Sequence, residues 1–399
     1  MTQSQVNETS SERMVSVRDW RQALRTPHVY RVGNSAFRIQ SLYLVFFVFI
    51  VLVITLFYTY PSMNNAVQSH FAKSSLPPCR YYKYNKTYPL TAPTKTSIGI
   101  SYKIAIISDL DHASKSVDKK DTWLSYLKKG HLMWFPNKNV MSVSWDNDMS
   151  VLSSSFAMKG RGMELSELVT FDGKLVTFDD RTGMIYYIEG DQAYPWVILM
   201  DGNGKDSKGF KSEWATVKDE QLYVGSMGKE WTTAAGEFVN NNPQWVKTVS
   251  VLGEKHSLNW VSNYNRLRQA YDIEFPGYMI HESAAWSDIH RSWFFLPRRC
   301  SKDRYNETKD EFMGCNIMLI ADENFLNIKV TKVGNLIPTR GFSSFKFLPK
   351  SKDSVIVALK TEENQGHTAT YIMAFGIDGT IVMPELKVID KKFEGLEFI

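Results

Sequence analysis

The sequence has little excess charge once its first 40 residues are set aside. The chain of 399 residues carries 47 basic and 42 acidic side chains, a formal charge of +5. Six arginines against three acidic residues lie in residues 1–40, so only +2 remains beyond them. Because nucleic-acid binding needs a basic surface, this near-neutral part predicts no nucleic-acid partner.

A second absence concerns nucleotide-binding loops. The chain contains no G-x-x-x-x-G-K-[ST] segment, which excludes the phosphate-binding loop of P-loop proteins. A hydrophobic content of 43% and an aromatic content of 13% exclude a disordered chain. The length allows one large domain or two ordinary ones.

Charge is missing altogether from Ser41–Tyr60, which reads SLYLVFFVFIVLVITLFYTY. This length of apolar chain is close to the roughly 20 residues that cross a bilayer. A cleaved signal peptide and a buried core helix are the alternatives, but 40 residues precede the run and no small-residue cleavage site follows it. Since arginines concentrate before the run, we predict a single-pass type II signal-anchor, with residues 1–40 as a cytoplasmic tail.

Cysteine is scarce, with three residues in the chain. Cys300 and Cys315 flank a polar loop between two strand-like runs, so a hairpin could bring them together as a disulfide in an oxidising compartment; a reduced pair is the alternative. Cys79 is left over, either free or linking two chains in a possible homodimer. The sequons at Asn85 and Asn306 are compatible with a lumenal glycoprotein.

Beyond the anchor, residues 61–98 are predicted to form a lumenal stalk, and residues 99–399 the folded domain. The domain consists of short strand-like runs separated by turn signals, as in SELVTF, KLVTFDD, MIYYIEG and AYPWVILM after Ser166. Four such four-strand units are complete, and the C-terminal FEGLEFI completes a fifth near residue 100. The prediction is therefore an all-β, five-bladed β-propeller, interrupted at 231–277 by an insertion with a helix-like segment.

A polar residue opens the first strand of each proposed blade, at intervals of 47 to 69 residues. In a propeller these strand starts converge on the central channel, where several carboxylates need a cation between them. Carboxylates with hydroxyl or backbone oxygens favour calcium, whereas solvated strand ends are the alternative. The predicted metal residues are Ser166, Glu213, Glu282, Ser343 and Glu394.

Several long motifs resemble one known family. They include SDLDHAS, KGRGMELSELV, TFDDRTGMIYYIEG, GFKSEWATVKDEQLYVGSMGKEWTT, PGYMIHESAAWSD and the terminal EGLEFI, spread from about Thr87 to Ile399. The chain is similar over this length to the calcium-activated nucleotidase, or apyrase, family. The resemblance implies a propeller around a central calcium, with the same five metal positions, and hydrolysis of nucleoside di- and triphosphates such as UDP, GDP, UTP and GTP, with UDP and GDP preferred. It also resembles the type II members of endoplasmic reticulum and Golgi membranes.

Phosphoanhydride hydrolysis needs cations beside the phosphates and an oriented water. We expect Asp109 and Asp111, at the end of a strand, to orient water or hold metal-bound water. Arg161 lies in a glycine-flanked loop before Ser166 and is a candidate for catalysis and phosphate binding, with Glu164 beside it. Arg298 is a second phosphate candidate. Structural ion pairs at a blade rim are the alternative for each.

The resulting functional prediction is a calcium-dependent nucleotidase that clears UDP and GDP in the secretory lumen and so supports glycosylation and protein quality control. Clipping of the anchor could release a secreted form. The alternatives are a calcium-centred propeller that serves as a non-catalytic lumenal binding platform, or a lactonase-like hydrolase.

Overall fold

A computed structural model describes residues 27–32, 35–40, 45–55 and 82–399. The chain separates into two compact units, Met1–Tyr82 and Lys83–Ile399. In the described part of the first unit, residues 27–32 and 35–40 form an antiparallel hairpin and residues 45–55 are helical. No helix among the described residues is both long and apolar enough to span a bilayer. The predicted anchor at 41–60 extends past the described residues at both ends and stays a prediction.

The second unit contains five four-stranded antiparallel sheets, which confirms the predicted five-bladed propeller. We number the blades 1 to 5 from Leu165 onward, each from its innermost strand outward. Blade 1 has strands Leu165–Phe171, Lys174–Asp179, Met184–Glu189 and Gln192–Ile198. Blade 2 has strands Trp214–Lys218, Gln221–Gly225, Trp245–Val249 and Lys255–Asn259. Blade 3 has strands Tyr278–Ser287, Ser292–Ser301, Ile317–Asp322 and Ile328–Lys332.

The last two blades share the C-terminal region. Blade 4 has strands Arg340–Phe347, Val355–Asn364, His367–Gly376 and Ile381–Ile389. Blade 5 has strands Phe393–Phe398, Ile100–Ser108, Trp123–Phe135 and Val140–Ser154, and Thr94–Lys95 pairs with its second strand. The chain therefore closes the ring by pairing its last strand with one near residue 100, as predicted.

Local sequence explains how the blades begin and turn. The innermost strand Leu165–Phe171 is buried along its whole length, as expected for a strand covered on both faces. It turns into its partner through Asp172 and Gly173, both with positive φ (54° and 69°). Two such residues define the tight turn that matches strand twist. This Asp-Gly pair was one of the turn signals that predicted the blade.

Each innermost strand contacts the innermost strands of the two neighbouring blades, so the five form a closed ring. At Gly395 this contact is very close, because an added Cβ would lie 2.6 Å from the Glu167 carbonyl carbon. Only glycine fits this approach of blade 5 to blade 1.

The predicted insertion at 231–277 is only partly an insertion. It contains the two outer strands of blade 2 together with a short hairpin, Trp231–Thr232 and Phe238–Asn240, and a helix, Val261–Gln269. The helix buries Tyr264 and Leu267 in the aromatic core between blades 2 and 3. The helical segment was predicted correctly, whereas the range predicted as an insertion overlaps the two outer strands of blade 2.

The cysteine prediction is confirmed for one pair. Cys300 and Cys315 form a disulfide with Cα atoms 5.4 Å apart. Cys79 lies outside the described residues, so its pairing stays a prediction. The compact unit begins at Lys83 and includes residues 83–98, which the sequence analysis assigned to the stalk. The sequon residues Asn85 and Asn306 are both exposed.

Candidate functional site

The five predicted metal residues all lie on or directly before innermost strands. Ser166, Glu213 and Glu394 lie where their strands start, whereas Glu282 and Ser343 lie near the middle of longer strands. We call the end of the channel that holds these residues the strand-start mouth. In four blades the strand pairing skips the predicted residue, at Ser166, Glu282, Ser343 and Glu394. A bulge of this kind frees a residue from the regular ladder and redirects its side chain or carbonyl. Glu213 precedes its strand, and its amide donates to the Gly225 carbonyl at 2.8 Å.

The three glutamates of this set are close enough to affect one another. Burial raises the pKa of Glu213 to about 8; Lys211, at 2.6 Å, lowers it and Glu282 raises it. Burial also holds the pKa of Glu394 well above its usual range; Lys392 lowers it and Glu282 raises it. These carboxylates therefore compete for positive charge in a site shielded from water.

The donor set fits a hard divalent cation. It consists of oxygen atoms from three carboxylates and two serines, which are the ligands calcium prefers. Within the described residues, the Ser343 Oγ is fully buried and has no hydrogen-bond partner. The Ser166 hydroxyl donates to the Ser212 carbonyl at 2.6 Å, which leaves its oxygen free to accept. The unpartnered Ser343 hydroxyl and the mutually repelling carboxylates are oxygen donors whose unmet interactions a bound cation would satisfy.

The structure brings Arg161 together with three of the predicted acids. Its Nε lies 2.6 Å from Glu164 Oε1, and its Nη2 lies 3.2 Å from Asp111 Oδ1. Ligand oxygens of Asp109, Asp111 and Glu164 all lie within 4.8 Å of one another. Asp111 has a left-handed φ of 49°, and its amide donates to Asp109 Oδ1 at 2.8 Å. An unfavourable backbone conformation held at such a cluster is typical of functional sites.

Lys392 joins this acid cluster to the metal candidates. Its Nζ lies 2.8 Å from Asp109 Oδ2, 3.1 Å from Asp111 Oδ2 and 3.5 Å from Glu394 Oε1. Burial raises the pKa of Asp109, but the Lys392 ammonium more than offsets it, so the pKa lies below its usual range. Asp109 is therefore a carboxylate at neutral pH, able to accept a proton or hold a water.

Arg298 lies deeper than a simple phosphate ligand would. It is buried, its Nη1 donates to Glu282 and to Glu394 Oε1 at 2.7 Å, and its Nη2 donates to Glu363 Oε2 at 2.7 Å. Its guanidinium is thus held by three carboxylates. The phosphate-binding role stays a prediction, and in this arrangement Arg298 orients acids of the metal site.

Sequence reasoning missed several charged residues that complete the cluster. Arg181 Nε lies 2.8 Å from Glu164 Oε2, and Lys211 bridges Asp180 and Glu213. Two of them could have been predicted from their positions in the chain. Lys211 and Lys392 each lie two residues before a predicted metal residue, and side chains two residues apart in an extended chain point to the same side. Glu363, from the second strand of blade 4, carried no such signal.

Fold and site together define a five-bladed propeller with a cluster of oxygen donors suited to a cation and an acid–arginine cluster at one mouth of its channel. The family model described as Apyrase matches residues 110–399. The chain is 57% identical over 320 residues to soluble calcium-activated nucleotidase 1 of Rattus norvegicus, covering 80% of this chain and 79% of that one. It is 48% identical to an apyrase of Cimex lectularius over 79% of this chain and 87% of that one, and 45% identical to apyrase apy-1 of Caenorhabditis elegans over 74% and 84%. The chain belongs to the apyrase family, as the resemblance implied.

Proposed function

We propose that this chain is a calcium-dependent nucleotidase that hydrolyses the phosphoric anhydride bonds of nucleoside diphosphates, chiefly UDP and GDP, and of some triphosphates. The proposal rests on the contacts of Lys392. This side chain contacts Asp109 and Asp111 of the acid cluster around Arg161, and it also contacts the proposed metal residue Glu394. The names of the apyrase and calcium-activated relatives support the same activity and the same ion.

The proposed metal residues are those at the strand-start mouth: Ser166, Glu213, Glu282, Ser343 and Glu394. Bound there, calcium would supply a Lewis acid that polarises a phosphoryl oxygen. Phosphate binding and water orientation are assigned to side chains of the protein.

Arg161 is the proposed phosphate ligand. Its side chain is partly exposed and already lies between Asp111 and Glu164, so it is held in position before substrate binds. Charge spreads over the equatorial phosphoryl oxygens in the transition state, and a preorganised guanidinium stabilises that charge. Arg181, held on the other side of Glu164, is placed to contribute a second cation.

Asp111 and Asp109 are the proposed water-orienting pair. Asp111 is partly exposed, with 45% of its side-chain surface accessible, so a water molecule can reach it. Asp109 is buried beneath Asp111. Lys392 donates a hydrogen bond to Asp109 Oδ2 and so fixes this carboxylate, and Asp109 Oδ1 accepts a hydrogen bond from the Asp111 backbone amide. Attack by the oriented water on the terminal phosphorus would release inorganic phosphate and leave a nucleoside monophosphate.

The proposed setting is the lumen of the endoplasmic reticulum or Golgi, where sugar transfer releases UDP and GDP. The predicted anchor, the exposed sequons and the Cys300–Cys315 disulfide support it, since disulfides persist in oxidising compartments. Localisation by imaging, together with glycosidase sensitivity of Asn85 and Asn306, tests this setting. A chain found only at the cell surface or in the cytosol would contradict it.

Phosphate release from UDP, GDP, ADP and UTP by the purified full chain tests the activity, with calcium, with magnesium and with a chelator. We expect calcium-dependent release from UDP and GDP that is lost in Glu394→Gln and kept in Glu254→Gln, a control acid exposed on a turn of blade 2. A folded protein that binds calcium but releases no phosphate from any nucleotide would favour the binding platform instead.

A further inference from the structure

The Cys300–Cys315 disulfide lies close in the chain to the buried arginine of the strand-start mouth. It joins two residues 15 positions apart and so closes the segment 301–314, which we call the disulfide loop. Cys300 lies near the end of the second strand of blade 3, two residues after Arg298, and Cys315 lies just before the third strand. The disulfide loop therefore begins beside the residue whose guanidinium contacts three carboxylates.

The strand segment around Arg298 lies beyond the regular ladder on its outer side. The ladder between the second and third strands of blade 3 ends at Phe295 and Leu319. Past that point, the Cys315 amide donates to the Arg298 carbonyl at 3.2 Å, and the disulfide joins Cys300 to the same segment. The disulfide therefore holds the outer side of this segment where the ladder no longer does.

The disulfide loop also contacts the innermost strand of blade 3. The Tyr278 hydroxyl donates to Asp310 Oδ1 at 2.5 Å. Tyr278 is 3% exposed, so this hydrogen bond is shielded from water. Tyr278 begins the innermost strand, and the proposed metal residue Glu282 lies four residues further along it. The loop is thus bound to a strand that carries a carboxylate of the metal site.

A second contact reaches the innermost strand of blade 4. The Gly314 amide donates to the Pro338 carbonyl at 2.8 Å, and a Cβ at Gly314 would lie 2.4 Å from the Arg340 carbonyl oxygen. Arg340 begins this strand, three residues before the proposed metal residue Ser343. The end of the disulfide loop is therefore packed closely against the strand that carries Ser343.

A third contact reaches the turn after the second strand of blade 4. The Gln365 amide donates to Glu311 Oε2 at 3.2 Å. Gln365 lies two residues after Glu363, whose Oε2 accepts from Arg298 Nη2 at 2.7 Å. The disulfide loop therefore contacts a chain segment that carries another carboxylate partner of Arg298.

We propose that this disulfide is a positioning element of the calcium site. It fixes the loop that contacts the segments of Glu282, Ser343 and Glu363, and so holds Arg298 and the acids around it in place. Groups that orient metal ligands contribute to metal affinity in this way. The proposal rests on the proposed function, because it takes the calcium site at the strand-start mouth as given.

Reduction of the disulfide frees the loop, while the four-stranded sheets keep their own ladders. A dithiol such as dithiothreitol breaks the sulfur–sulfur bond: two electrons and two protons pass to Cys300 and Cys315, which become thiols, and the dithiol closes into a cyclic disulfide. Cys79 is the remaining cysteine of the chain, so Cys79→Ser separates its chemistry from that of the pair.

Calorimetric titration of the full chain with calcium, without nucleotide, tests the proposal. The chain is titrated oxidised, reduced with dithiothreitol, and as the double variant Cys300→Ala/Cys315→Ala. We expect both disulfide-free forms to bind calcium about tenfold more weakly, the lower end of the usual loss when a group that orients metal ligands is removed. Cys79→Ser is the control and should keep both the affinity and its response to the reductant. Thermal unfolding checks that each form is folded at the temperature of the titration.

Tyr278→Phe tests the contact between loop and strand with the disulfide in place. It keeps the ring and removes the hydroxyl that binds Asp310, so calcium binding should weaken in the oxidised chain. Added to the double variant, it should cause no further loss, because the contact no longer holds the strand once the loop is free.

Equal calcium affinity with and without the disulfide, in folded chains, would overturn this proposal and leave the proposed function standing. If the double variant does not fold, Tyr278→Phe decides: weaker calcium binding supports the proposal and unchanged binding overturns it. A chain that binds no calcium in any form would contradict the proposed function and this inference together.

Discussion

At the strand-start mouth, Arg298 donates to three carboxylates, and Lys392 contacts two of these together with Asp109 and Asp111. Further along the innermost strands, Glu167 and Glu397 share Lys346. The acids of the strand-start mouth therefore have several cations beside them, and the second pair has one. Burial raises the pKa of the partly buried Glu363, but Arg298 and Lys392 more than offset it, and the pKa falls below its usual range. The buried Glu394 contacts the same two cations, yet burial keeps its pKa well above the usual range.

For the two acids that share Lys346, the effect of burial on the pKa outweighs that of the ammonium. Burial raises the pKa of Glu167 to about 7 although Lys346 lowers it, and burial likewise raises the pKa of Glu397. An added cation is needed among Glu213, Glu282 and Glu394, because the pKa values of Glu213 and Glu394 stay raised although Lys211, Lys392 and Arg298 lie beside them. Burial of acids in a propeller channel is thus informative only together with a count of the cations beside them.

The largest expected effect comes from removing the best-connected cation. Arg298→Met leaves the buried Glu394 and the partly buried Glu282 and Glu363 without their shared guanidinium, which should lower the free energy of unfolding by about 3–5 kcal/mol. Lys346→Met should cost less, because both of its acids already have raised pKa values and can take up a proton. Urea unfolding at pH 7 measures both. An equal or larger loss for Lys346→Met would break the comparison.

The next effect is on rate. Arg161→Ala should lower kcat/KM for UDP about 10²–10³-fold, the usual loss when one preorganised donor to a developing charge is removed. Arg161→Lys should recover little, because an ammonium cannot bridge Asp111 and Glu164 as the guanidinium does. Steady-state kinetics with Lys159→Gln, a neighbouring exposed cation, is the control. Unchanged turnover in Arg161→Ala would remove its proposed role.

Much of the fold follows from local signals in the sequence. The Asp172–Gly173 turn and the spacing of blade starts predicted the five blades, because turn chemistry and strand length act over a few residues. FEGLEFI predicted ring closure, since an apolar final strand needs a partner.

The site was harder to predict, for a physical reason. Which side chains face the channel depends on bulges at Ser166, Glu282, Ser343 and Glu394, and nothing in a single sequence marks a bulge. The partners of Arg298 come from three different strands, so their meeting is a property of the closed ring. Residue type and spacing alone therefore predicted the acids, Arg161 and Arg298, but not Arg181, Lys211 and Lys392.

The pH dependence of stability should differ between Glu167 and Glu363. Because the pKa of Glu167 rises to about 7 on folding, the folded state keeps a proton that the unfolded state releases near pH 4.5. Its contribution is fully present below that pH and is lost as pH rises to about 7, at most about 3 kcal/mol. Thermal unfolding of Glu167→Gln between pH 5 and 7 should lack this decline.

Glu363→Gln is the matched variant at the strand-start mouth. Since the pKa of Glu363 is lowered on folding, its contribution is present at neutral pH and is lost as pH falls below about 4.5. Its removal should change the profile only on the acidic side. Profiles altered over the same pH range in both variants would show that the two ends do not differ as proposed.

The smallest expected effect tests what holds the two ends together. Gly395→Ala would place a Cβ 2.6 Å from backbone atoms of Glu167 and Leu168, and overpacking of this kind costs about 1–3 kcal/mol. Gly366→Ala is the control, because no atom lies within 4 Å of its added Cβ and only its φ of 83° opposes alanine, at about 1 kcal/mol. Urea unfolding compares them. Since Glu167 follows Ser166 directly, the shift forced by a Cβ at position 395 should also weaken calcium binding. If Gly395→Ala lowers the free energy of unfolding no more than Gly366→Ala does, blade 5 can move away from blade 1 at little cost. The close approach of their innermost strands would then not fix the geometry of either end.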